Sequence, residues 1–164
     1  MGKFQLDKPQ MIQTTAQQTA VIHLITPREN IRFVMGDGYQ ELMAVLAKQG
    51  VNPTGPWFTH HSRLDPNIFA FEIGVPVSQP ISPEGRVTGS ELPSLLVART
   101  IYRGDYERLG GAWAEFDQWL AANRNSSTAD FYEHYLTGPE VNPDPDSWQT
   151  ELIRPLIASD GGKK

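Results

Sequence analysis

The chain contains no cysteine. Disulfides and thiolate metal sites are therefore excluded, and the cytoplasm is the expected compartment. Basic clusters are lacking as well. Lysine and arginine number 14 against 19 acidic residues, a net charge of −5, whereas a nucleic-acid surface needs grouped positive charge. The terminal pair Lys163-Lys164 is the single basic run and reads as a solvated tail. No apolar run approaches the roughly 20 residues that span a bilayer. The stretch from Met1 to Pro9 has no signal-peptide core. No nucleophile elbow, phosphate loop or dinucleotide fingerprint is present. Histidines are few: His60-His61 point to opposite faces of a strand, and His23 and His134 stand alone, so no metal-ligand spacing is found. The expectation is a protein without metal or cofactor that contacts neither nucleic acid directly nor a membrane.

What is present is a patterned chain of 164 residues, which reads as one domain over 1–164. A chain of this size can bury roughly 70% of its unfolded surface. Residues 1–18 are polar and suit an arm or edge strand. Thr19 to Thr26 reads as a strand stopped by Pro27. Residues 28–36 are ambiguous between an irregular lid and a helical turn. Asp37 then looks like a helix N-cap with Gln40 completing a capping box. Tyr39, Leu42, Met43 and Leu46 follow as an apolar helical stripe, and Gly50 as the stop. Strands are expected at Trp57–Ser62 and Ile68–Val77 around a turn at Asp65-Pro66-Asn67. A proline-bearing linker covers 78–85.

The order then repeats. Leu95–Tyr102 is a strand. Asp105 caps a second helix whose stripe is Tyr106, Leu109, Trp113, Phe116 and Leu120. Ser126–Tyr135 is a strand, 138–146 a loop, and Ser147–Ile157 a last strand closed by Pro155; the tail 158–164 reads as disordered. Two landmarks support a duplication. Tyr39-x-x-Leu42 is echoed by Tyr106-x-x-Leu109, and Glu72-Ile73-x-x-Pro76-Val77 by Glu151-Leu152-x-x-Pro155-Leu156. The repeats are placed at about 19–77 and 86–157. The fold class is α+β, a strand–helix–strand–strand unit used twice.

Phe131, Glu133 and Tyr135 alternate, so they share one strand face. If that strand pairs with the last one, Glu133 and Glu151 can lie on a common surface with the two rings. Carboxylates among aromatic faces suit a lipophilic cation, through the ring quadrupole and neutralisation away from water. The plain alternative is that both acids sit at a solvated strand rim. Trp113, Phe116 and Trp119 read as core, because they follow the helical stripe. Two carboxylates near a tyrosine could also perform acid–base work on water.

Further segments carry a resemblance. They are Gly36-Asp-Gly-Tyr39-x-x-Leu42, Leu46-Ala-Lys-Gln-Gly-Val51 and Gly55-Pro-Trp-Phe58 in the first half. The second half has Tyr102-Arg-Gly-Asp-Tyr106-x-x-Leu109, Trp113, Trp119, Glu133-His-Tyr135-Leu, Gly138-Pro139 and Thr150-Glu151-Leu152-x-x-Pro155-Leu156. Over about residues 10–157 the chain resembles the GyrI-like small-molecule-binding domain, also met as the effector-binding domain of AraC-type and MerR-type multidrug regulators. The resemblance implies two such units about a pseudo-twofold axis with a ligand cleft between them. It implies that Glu133 is the acid that recognises lipophilic cations, with Tyr135 beside it and Glu151 as a second acid. Phe33, Trp57 and Tyr106 carry over by position near the cleft. No helix-turn-helix precedes the domain, so a stand-alone binding protein for sensing or sequestration is expected rather than a DNA-binding regulator. Stand-alone relatives also imply two alternatives. One is a hydrolase of cyclopropane-bearing genotoxins, with Glu133, Tyr135 and Glu151 as its candidates; the other is a protein-binding modulator such as a gyrase inhibitor.

Overall fold

The computed structural model describes residues 5–27, 30–64, 68–123, 125–128, 130–138 and 142–157, without the side chains of residues 32, 62–64, 68 and 69. In chain order the elements are β1 (Gln5–Leu6), β2 (Gln10–Gln13), β3 (Gln17–Pro27), α1 (Ile31–Gln49), β4 (Phe58–Leu64), β5 (Ile68–Pro76), β6 (Thr88–Leu92), β7 (Leu96–Arg103), α2 (Leu109–Ala122), β8 (Phe131–Thr137) and β9 (Gln149–Pro155). The fold is α+β with antiparallel pairing throughout these strands. Two compact units are formed: residues 15–94, and the residues up to 14 together with those from 95 onward.

In the first unit the strand order is β4-β5-β3-β6. β3 alternates, and Ala20, Ile22 and Leu24 meet Phe71, Ile73 and Val75 of β5 on the face that α1 covers with Leu42, Val45 and Leu46. Helix α1 ends as its sequence demands. Gly50 adopts the left-handed conformation (φ 68°) and its N–H returns to the last-turn carbonyls. The start differs from expectation. Helix α1 opens at Ile31 after Asn30, which makes no side-chain cap, and Asp37 lies inside it. Ile31, Val34 and Met35 pack on the core, and that burial extends the helix by two turns past Asp37. Gly38 sits where a Cβ would meet Ile73 Cδ1 at 2.6 Å, so the glycine permits close seating on the sheet. Strand β6 was not foreseen; it follows the expected linker and pairs along β3. The turn expected at 65–67 lies outside the described residues, as does the tail from 158.

In the second unit the order is β7-β9-β8, with β1 and β2 added along the free side of β7. The polar N-terminal stretch is thus an edge ribbon of this unit, and repeats placed by sequence alone miss it. Helix α2 lays Ala112, Phe116 and Leu120 on Ala98, Tyr102 and Leu152. Strand β8 begins at Phe131, five residues later than expected.

The echoed Glu–Pro segments occupy matching places in their units. Val77 bridges Pro53, and Leu156 bridges Ser127. Thr54 N–H donates to the Pro76 carbonyl at 2.9 Å, and Thr128 N–H to that of Pro155 at 3.0 Å. Ser78 N–H donates to Asn52, and Ile157 N–H to Ser126. Proline closes the central strand both times because the next residue turns to the segment entering the neighbouring strand.

Gly74 offers a test of the packing. A Cβ there would lie 2.8 Å from Phe58 Cζ and from Val21 Cγ1, and 2.9 Å from the Ala20 carbonyl oxygen. Backbone cannot yield as a side-chain tip can. Gly74→Ala is expected to cost about 1–3 kcal/mol, read as a lower urea midpoint at unchanged m-value.

Candidate functional site

Strand alternation sends Phe131, Glu133 and Tyr135 of β8 to the face covered by α2. All three are buried, Glu133 with 8% exposure. The carboxylate is held by two neutral donors. Trp113 Nε1 donates to Oε2 at 2.6 Å, and Tyr135 Oη donates to Oε1 at 2.7 Å. Among the described residues Glu133 makes no ion pair.

Each donor is fixed by its own element. Asp105 caps the turn that leads into α2, its Oδ1 accepting from Arg108 N–H at 3.1 Å. The stripe of α2 then carries Trp113 one turn before the fully buried Phe116. Trp113 meets Phe131 edge-on with ring centroids 4.7 Å apart and Phe116 at 5.9 Å. Tyr135 is met edge-on by Tyr106 at 5.9 Å, and Tyr106 packs on Trp148 at 4.9 Å. The Trp148 indole donates to the Asn142 carbonyl at 2.7 Å, which ties the loop before β9 to the aromatic group. The result is a carboxylate held by Trp113 and Tyr135, from which the aromatic contacts continue to Phe131, Tyr106 and Trp148.

Burial pushes the Glu133 carboxyl above the usual range, and the two hydrogen bonds only partly oppose it. A raised folded-state pKa means that the protein holds this proton more tightly than the unfolded chain does. Folding stability therefore falls as pH rises through the window above the ordinary value of 4.5.

Of the expected site residues, Glu133, Tyr135, Phe131 and Tyr106 come together. Glu151 does not join them. The register pairs Glu133 with Leu152, and His134 with Glu151. Paired residues share a face and successive ones alternate, so Glu151 lies on the face opposite Glu133. There it forms an ion pair with Arg99, which also donates to Gln10 at 3.2 Å. The expected common surface for the two acids fails by one residue of register. Trp57 and Phe33 belong to the other unit. Trp57 packs on Tyr39 at 4.8 Å, and Phe33 is 76% exposed on α1.

Sequence reasoning missed two residues of the group. Trp113 was assigned to the core, and it does pack there, but its N–H also reaches the carboxylate. Trp113 is partly buried, and an indole N–H taken out of water needs an acceptor, which is the signal in the sequence. Trp148, expected within the last strand, lies just before β9.

Elsewhere, Glu72 takes His23 Nε2 at 3.0 Å and His60 Nδ1 at 3.6 Å across three strands. Among the described residues no group of three His, Asp or Glu is arranged to hold a metal ion, and no helix is long and apolar enough to cross a membrane.

A family model described as the GyrI-like small molecule binding domain matches residues 7–157. No curated protein matches the sequence. The EcmrR C-terminal domain superposes with a TM-score of 0.80 at 20% identity, covering 93% of this chain and 98% of that one. Against EcmrR in its complex with DNA the figures are the same, but the match spans only 58% of the EcmrR chain. SAV2435 bound to tetraphenylphosphonium matches with a TM-score of 0.59 at 16% identity, over 93% and 95% of the two chains. A hydrolase from Listeria innocua matches with 0.64 at 13% identity, over 92% of each. At these identities the likeness is one of fold.

Replacing the buried charge tests the electrostatics. Glu133→Gln keeps an acceptor and removes the desolvated charge. Its melting temperature is expected to exceed that of the wild type at pH 8. The gap should close as pH falls below 4.5, where the wild-type carboxyl is protonated as well. Thermal unfolding across pH checks both the sign and the window.

Proposed function

The chain belongs to the GyrI-like small-molecule-binding domain family, and from that premise we propose that it binds lipophilic organic cations at Glu133. The observation that carries this reading is a buried carboxylate whose partners are two neutral donors and whose walls are aromatic. Such a group retains an uncompensated charge. A bulky cation with apolar substituents supplies the missing charge and loses little hydration on entry. The neighbouring rings of Phe131 and Tyr106 would add quadrupole attraction where a face meets the cation. Glu151 takes no part, because Arg99 already neutralises it on the other face. The tetraphenylphosphonium bound to SAV2435 is an ion of this class, which makes it the first probe to try.

The raised Glu133 pKa adds a pH dependence. A bound cation favours the ionised carboxylate, so binding releases a proton while Glu133 is still protonated in the free protein. Affinity should climb as pH rises above 4.5 and level off once the free carboxyl is ionised. Isothermal titration with tetraphenylphosphonium at several pH values measures this. At pH 8, Glu133→Gln should lose about 2 kcal/mol of binding, roughly thirtyfold in Kd. Unchanged affinity in that variant would remove Glu133 from the site.

A second reading rests on the 2.7 Å contact between the Tyr135 hydroxyl and the Glu133 carboxyl. A carboxyl of raised pKa beside a phenol is also the pair that general acid–base hydrolysis of a strained electrophile would use. Product formed in excess of protein, detected by mass spectrometry and lost in Tyr135→Phe, would establish it. Stoichiometric binding without product leaves the binding function alone.

A further inference from the structure

We propose that Trp113 sets the ligand class, making the site selective for permanently charged onium ions over protonated amines; the inference rests on cation binding at Glu133. Both carboxylate oxygens already accept a short hydrogen bond, Oε2 from the indole at 2.6 Å and Oε1 from the phenol at 2.7 Å. Ring contacts position both donors. The indole is pinned by Phe131 and Phe116 on one side of the helix–sheet seam, and the phenol by Tyr106. A carboxylate offers about four lone-pair sites, and the indole and the phenol already hold one on each oxygen. The site thus lacks positive charge and does not lack hydrogen-bond donors.

That distinction separates two kinds of cation. A quaternary ammonium or phosphonium has no N–H to satisfy. It neutralises the carboxylate across van der Waals contact while the indole and phenol keep their bonds. A protonated amine brings a strongly hydrated donor out of water. It must leave its N–H without an acceptor or displace the Trp113 indole, which then loses its own. Either outcome buries one unsatisfied donor, a loss of about tenfold or more in affinity. Trp113 acts here through Glu133 and fixes specificity, while the carboxylate supplies the attraction.

The test uses a pair differing by one methyl group: (naphthylmethyl)trimethylammonium and (naphthylmethyl)dimethylamine, the latter protonated at the pH of measurement. Their dissociation constants are measured by titration at pH 8, with tetraphenylphosphonium as reference. Wild type should favour the quaternary ion by about tenfold, the factor set by one unsatisfied donor. Trp113→Phe keeps an aromatic ring and frees Oε2, so the protonated amine should gain relative to the quaternary ion and the ratio should fall at least about fivefold. Tyr135→Phe, which frees Oε1, should move the ratio the same way, and melting curves report folding of both. Equal affinities in wild type would overturn the proposal without any variant. So would an unchanged ratio in a folded Trp113→Phe. If tetraphenylphosphonium binds and the ratio stays fixed, the selectivity claim alone falls; if wild type binds none of the three ions, cation binding falls and takes this inference with it.

Discussion

A carboxylate taken out of water costs several kcal/mol unless charge or hydrogen bonds replace the solvent it leaves. At Glu133 hydrogen bonds do so in part and charge does not. Much of the second unit serves this arrangement. The Asp105 cap starts the turn that feeds α2, the Phe116–Leu120 stripe seats the helix on β7 and β9, and that seating brings the Trp113 N–H to Oε2. Alternation along β8 places Tyr135 two residues on, where its hydroxyl reaches Oε1. The two bonds hold the group in one position without cancelling its desolvation. The uncancelled desolvation lowers the stability of the folded protein; on the function proposed above, a bound cation would restore it.

The duplication shows what is scaffold and what is chemistry. Within its own unit, Thr59 of β4 pairs with Ile73 as Glu133 of β8 pairs with Leu152. His61 pairs with Phe71 as Tyr135 pairs with Thr150. The first unit therefore has a fully buried threonine where the second has its acid, and a buried histidine where the second has its phenol. Burial pushes His61 down to about 4, so that position is neutral under ordinary conditions. The strands and their Glu–Pro endings are common to both units, and the charged aromatic group is a property of one. The echoed glutamates Glu72 and Glu151 lie on the opposite strand faces from these rows, and each has a basic partner, His23 and His60 for one and Arg99 for the other.

Several elements were legible because they rest on local chemistry. Gly50 ends α1 because only a left-handed residue closes that turn easily. Asp105 caps the 3-10 turn at Tyr106–Arg108 because its side chain satisfies an orphan N–H, while α2 itself opens after Arg108 with no side-chain cap. The apolar stripes identified the helices, and strand alternation put Phe131, Glu133 and Tyr135 on one face. The family emerged from short segments in a fixed order; Phe131, Glu133 and Tyr135 were named from strand alternation, and Tyr106 from the resemblance. The start of α1 was misplaced because a weak local signal at Asp37 was overridden by packing of Ile31, Val34 and Met35. Strand β6 was missed because Thr88-Gly-Ser-Glu-Leu92 has no periodic apolar pattern, and its pairing with β3 is tertiary.

Residue order along the chain thus determined which side chains share a strand face, that α1 ends at Gly50, and that one unit occurs twice. Each of these depends on neighbours a few positions away. Tertiary structure alone decided register and docking: that Glu133 stands opposite Leu152 and not Glu151, that Arg99 claims Glu151 on the far face, and that Trp113 turns its N–H to the carboxylate. Those outcomes depend on how strands slide and helices settle against one another, and a slip of one residue in β8 would turn Glu133 to the other face of the sheet.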